Sequence, residues 1–198
     1  MAVELSDTEL GIPGAGTVGR WVRESPEGFA FTVRAPKIIA ESGFAKTKEN
    51  RAVLKELAGL VETLNARAAV FTAPDTFKPT RATKAALQAF CSGLPSSIPT
   101  IVLDLPAWKP SVVMDTVAKR KVITAVDPLQ EEWPVHKKMA YLQLPGPAGH
   151  RSRYDAESLE AIEARCLEIA KQTSEVFCVF RNIDMHANAK SLRAALGQ

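Results

Sequence analysis

Short apolar runs recur along the chain, each closed by a polar residue or a proline. They fall at residues 29–33 before Arg34-Ala35-Pro36, 68–72 before Ala73-Pro74, 100–103 before Asp104-Leu105-Pro106, 122–126 before Asp127-Pro128, 141–144 before Pro145-Gly146, and 176–180 before Arg181-Asn182. Runs this short and this continuously apolar suit strands buried on both faces, which predicts a parallel sheet. Between them the spacing turns helical. Val53, Leu54, Leu57, Leu60, Val61 and Leu64 recur at steps of three and four, an apolar stripe with Lys55, Glu56 and Glu62 turned outward. A second stripe, Leu159, Ile162, Cys166 and Ile169, follows Asp155, a residue type that caps helix N-termini well. Weaker helical patterns cover residues 82–90 after Pro79, 112–118 after Pro110, and 187–196.

Strand and helix alternating along the whole chain leave two architectures, an open doubly wound sheet or a closed (β/α) barrel. A dinucleotide-binding sheet needs Gly-x-Gly-x-x-Gly directly after its first strand. Here Gly14-Ala15-Gly16-Thr17-Val18-Gly19 has that glycine spacing, but Pro13 precedes it without a strong strand. Residues 11–19 therefore read as a glycine-rich loop, with phosphate binding as the lesser alternative.

Composition narrows the partners. Hydrophobic residues make up 46% and charged residues 24%, the mix of a globular protein, and the length suits one domain spanning residues 1–198. A formal charge of +3 falls short of the basic stripe of a dedicated nucleic-acid binder. Cys91, Cys166 and Cys178 are widely spaced and each sits in an apolar pattern, so they read as core residues rather than a zinc site or a disulfide framework. No stretch reaches the ~18 apolar residues of a membrane span, and a cytoplasmic location is expected.

Several segments together are similar to the YecE-like family, DUF72. Val3-Glu4-Leu5-Ser6-Asp7-Thr8 resembles a strand end of that family, and Trp21 with the segment from Ser25 to Pro36 resembles its tryptophan and Thr-Pro-x-x-Phe-x-Phe motif. Ala73-Pro74 with Phe77, Leu142-Gln143-Leu144-Pro145-Gly146 with Tyr154, and Val179-Phe180-Arg181-Asn182 with Asn188-Ala189 resemble later strand ends. The resemblance implies a TIM-like (β/α) barrel of unknown molecular function. It has no counterpart here for the family's first strand and helix. Seven strands are therefore expected, as an incomplete barrel or as one closed by a partner chain, unless the true start lies upstream. Departures concentrate on polar positions: Arg34 stands for lysine, Thr72 for glutamine, Gln143 for arginine, Pro145 for histidine and Arg181 for asparagine.

In such barrels the active site gathers at the C-terminal ends of the strands. Arg34 and Arg181 are the candidates for holding a phosphate or carboxylate, helped by Gln143 and Asn182, while Asp104, Asp127 and Glu4 are the candidate catalytic carboxylates. The bland alternative is that these residues are polar because strand ends meet water. His136, His150 and His186 lack metal-ligand spacing, so no metal is expected, and the cofactor is left open. Three function classes follow: a binder or enzyme acting on a small anionic ligand, a non-catalytic protein that dimerises across an open barrel edge, and a weak nucleic-acid binder using the basic segments 46–51, 136–138 and 150–154.

Overall fold

The structure, a computed structural model of the chain, describes residues 1–117 and 121–197. Seven strands, β1 (Ala2–Leu5), β2 (Ala30–Arg34), β3 (Ala68–Thr72), β4 (Ile101–Asp104), β5 (Val122–Val126), β6 (Met139–Leu144) and β7 (Glu175–Phe180), pair in sequence order. Every pairing is parallel. With helices between all of them except β5 and β6, this is an α/β fold of the TIM-like barrel class with seven strands. All six apolar runs become strands at the expected places, because a strand covered on both faces leaves a continuous apolar run in the sequence.

The helices are α1 (Ala15–Glu24), α2 (Ile38–Glu41), α3 (Lys48–Thr63), α4 (Arg81–Ser92), α5 (Pro110–Val117), α6 (Ala156–Ala170) and α7 (Met185–Ala195). Local chemistry explains where several begin. The Thr47 side chain accepts from Asn50 N at the start of α3, Thr80 and Thr83 form a capping box on α4, and the Asp155 carboxylate accepts from Ser158 N at 2.8 Å at the start of α6. Each such cap answers a backbone N–H that the helix itself leaves unpaired. The final residue of the predicted 112–118 helix, Ala118, lies outside the described residues. One expectation is overturned: residues 15–19, read as glycine-rich loop, belong to α1, with Gly14 as its N-cap.

The chain divides into two compact units, residues 1–124 and 125–198. Each has its own core. In the first, Phe31, Val33, Ala69, Phe71, Ile101 and Leu103 pack with Leu57, Val61, Leu87 and Phe90 from α3 and α4. In the second, Ala140, Leu142, Leu144 and Phe180 pack with Ile162, Cys166 and Ile169 from α6. Cys91 and Cys166 are buried and Cys178 is half-buried, all as free thiols. Strand residues alternate between faces. Those that do not join the helix-packed core point to the opposite face, which carries the candidate chemistry.

Candidate functional site

In residues 1–124 that opposite face holds Thr32 and Arg34 of β2, Thr72 of β3 and Asp104 of β4, with Glu4 of β1 in register with Thr32. Arg34 is 3% exposed. A buried guanidinium is tolerated only when its charge is met and its N–H groups are hydrogen-bonded. Arg34 NH2 donates to Thr72 Oγ1, which in turn donates to Asp104 Oδ2 at 2.9 Å. The same Asp104 oxygen lies 3.8 Å from Arg34, and Glu9 Oε2 lies 3.3 Å from the guanidinium's other terminal nitrogen. Two carboxylates thus face one arginine. Its Nε has no hydrogen-bond partner among the described residues. Thr8 closes the cluster from behind, its hydroxyl donating to the Arg34 carbonyl at 2.7 Å. The predicted candidates Arg34 and Asp104 are therefore brought together. Glu9, on a 3-10 turn (Asp7–Glu9), is a participant that no spacing in the sequence announces.

In residues 125–198, Asp127 directly follows β5, Gln143 is the penultimate residue of β6 and Arg181 directly follows β7. Continuing the alternation of each strand, all three fall on the face opposite the helix-packed core. The adjacent registers are Val126 with Leu142 and Leu144 with Phe180. On that face Tyr141 of β6 stacks on Phe177 of β7, with ring centroids 6.0 Å apart. Gln143 is buried, and its Oε1 accepts from Arg181 NH1 at 3.1 Å. Only the oxygen can face a guanidinium, which carries donors alone, so the orientation of the amide is decided. Its Nε2 is then aimed elsewhere, and this buried donor has no partner among the described residues.

Around these groups the loops are tightly fixed. Gly146 adopts φ +99°, and a Cβ there would fall 2.5 Å from Gly149 O and 2.6 Å from Ser152 Oγ. Only glycine fits. Gly146 N donates to the Tyr154 hydroxyl at 2.8 Å. Burial is the main reason the Tyr154 hydroxyl is pushed up to about 12, against the opposing effect of that hydrogen bond, with Asp127 among the charges that raise it further. Asp127 itself is half-buried. Loss of hydration raises its pKa above the ordinary 3.8, partly opposed by the hydrogen bond that Leu129 N donates to its carboxylate. Asn182, expected at the rim, is 1% exposed. It donates to Ser152 O at 3.4 Å and accepts from Asn188 Nδ2 at 3.2 Å, tying the β6–α6 loop to the start of α7. Arg153 and Asp184 add an ion pair at 2.9 Å. Among the described residues, no three His, Cys, Asp or Glu side chains group closely enough to hold a metal. None of the described helices is long and apolar enough to cross a membrane.

Seven parallel strands alternating with helices, with polar side chains gathered at the strand C-termini, define a TIM-like barrel protein. Comparison with known proteins makes this specific. The profile of DUF72, a protein family of unknown function, matches residues 1–198, and the chain belongs to that family. No curated protein matches it. Two crystal structures of a DUF72 protein from Enterococcus faecalis resemble it: one has 20% identity and TM-score 0.79, covering 100% of this chain and 85% of the other. The second has 21% identity and TM-score 0.77, covering 100% and 90%. A DUF72 protein from Thermotoga maritima has 16% identity and TM-score 0.80, covering 100% and 85%. At these identities the likeness concerns the fold.

Proposed function

We propose that the strand ends of residues 125–198 bind a small anionic ligand, a carboxylate or phosphate whose oxygens accept hydrogen bonds from Gln143 Nε2 and Arg181. The buried Gln143 amide nitrogen, with no acceptor among the described residues, carries this reading. A buried donor left unanswered costs about 1–3 kcal/mol, and a ligand oxygen returns that cost on binding. A neighbouring guanidinium favours an anionic acceptor over a neutral one. Asp127, on the next strand end, has the raised pKa that suits a proton donor or acceptor, so it is the group that would turn binding into turnover.

The Arg34 cluster serves this reading as structure. An anion could reach Arg34 only by displacing Glu9 or Asp104, which already stand at its charge. Asn182 supports the site by holding the loop that carries Ser152. The free thiols suit a reducing cytoplasm, which we take as the location.

The test is a thermal-shift series with inorganic phosphate, acetate and small phosphorylated or dicarboxylic metabolites on the wild type and on Gln143→Met, which keeps the volume and removes the donor. A ligand bound only by the native state raises the melting temperature with its concentration. The expected result is a rise in the wild type that shrinks in the variant. An equal rise in both, or none in either, contradicts the proposal.

A further inference from the structure

In residues 1–124 the loop after the Asp7–Glu9 turn, the start of α2 and the early turns of α3 enclose a groove of about 380 Å³. Its wall includes Leu10, Ile38 and Val53. Leu10 is 82% exposed and Ile38 41%, so two large aliphatic side chains stand open to water in one concavity. Beside charged neighbours they give this concavity an apolar wall and a polar rim. The rim is acidic: Glu9, Glu41 and Glu56 line it against a single lysine, Lys37. The Lys37 ammonium lies 3.7 Å from Glu41. Glu56 has no hydrogen bond or ion pair among the described residues. The wall is held in place beforehand, because Lys37 N donates to Glu9 O at 3.0 Å and Arg34 anchors the Glu9 carboxylate. A preformed wall lowers the ordering cost of binding.

We propose that this groove binds a small organic cation with an aliphatic body, an alkylammonium whose chain lies on Leu10, Ile38 and Val53 and whose charge meets Glu56. Charge complementarity selects a cation over an anion. The volume lies at the lower end of the range for small-molecule sites, which selects a compact ligand over a folded partner.

The full chain, labelled with 15N, is titrated with n-hexylammonium, and in parallel with 1-hexanol and hexanoate. Saturable shifts of the Gly11 and Ile38 amides are expected with hexylammonium and none with hexanoate. Because one exposed charge contact is at stake, hexanol and the Glu56→Lys variant should each bind about fivefold more weakly. Leu10→Ser, at a side chain that packs against little, removes the aliphatic contact in a chain whose remaining spectrum stays unchanged. The proposal is overturned if hexylammonium gives no saturable shift, if hexanol equals it and Glu56→Lys changes nothing, or if the shifts map to other amides. It is overturned equally if a lysine-flanked leucine peptide shifts these amides where hexylammonium does not, which assigns the groove to a protein partner. Shifts that grow with protein concentration and no additive assign it to a second copy of the chain.

Discussion

The strand ends of the two units answer the same problem, a buried polar side chain on the face away from the helices, in opposite ways. In residues 1–124 charge meets charge: Arg34 is enclosed by Thr72, Asp104 and Glu9. In residues 125–198 the polar core is a neutral amide, Gln143, whose acceptor is taken by Arg181 and whose donor is left over. A compensated cluster behaves as a lock, because removing one member takes a partner from each of the others. A donor left over behaves as a receptor, because some outside group completes it. The first arrangement should appear in stability and the second in ligand response.

Arg34→Ala tests the lock most severely. It takes the guanidinium away from Thr72, Asp104 and Glu9 together, and should cost about 3–4 kcal/mol in urea unfolding. A loss below about 1 kcal/mol, the scale of an exposed ion pair, would break the distinction between the clusters. Next in size is Gly146→Ala, where the positive φ and the clash with Gly149 and Ser152 combine. About 2–3 kcal/mol is expected by the same measurement. Gln143→Met should change stability in ligand-free buffer by no more than about 1 kcal/mol, because it exchanges a half-satisfied amide for an apolar side chain of similar volume. A large loss there would mean that the amide is part of a lock as well.

How far these two regions could be read beforehand differs with the kind of interaction. Residues 68–72 announced their strand because burial on both faces writes an unbroken apolar run, and 176–180 carry the same kind of run although Val176, Cys178 and Val179 are only half-buried. Arg34, Asp104, Asp127 and Arg181 were legible as strand-end residues, since each directly follows or closes such a run. Helix α1 was not legible. Its glycines at 16 and 19 weaken helix propensity, and Val18 is its one buried residue, so the apolar stripe that normally reveals a helix is nearly absent. Glu9 was missed because only tertiary folding carries the Asp7–Glu9 turn to Arg34. Asn182 looked like a rim residue by position, yet the loop folds back over it through Ser152 and Asn188. The Gln143 donor could not be inferred at all, because whether an amide is satisfied depends on where its partners end up.

The smallest expected effect is a pH dependence. Burial raises the Asp127 pKa above 3.8, so the native state holds this proton more tightly than the unfolded chain does. The resulting stabilisation is fully present below the unfolded value and is lost as pH rises through the native one. Asp127→Asn should therefore gain on the wild type as pH rises across that window, with a flat difference above it, measured as urea midpoints from pH 3 to 8. A difference that moves in the wild type's favour as pH rises would place Asp127 in a charge-stabilising setting and remove it as an acid–base candidate.

The most direct test of the receptor is the side-chain NH2 resonance pair of Gln143, assigned by its loss in Gln143→Met and followed during titration with inorganic phosphate and acetate. Anion binding at the strand ends of residues 125–198 predicts a saturable downfield shift of one of the two protons, as an ionised oxygen takes up the unanswered Nε2–H. Resonances that stay in place across the titration, in a chain that remains folded, would contradict it.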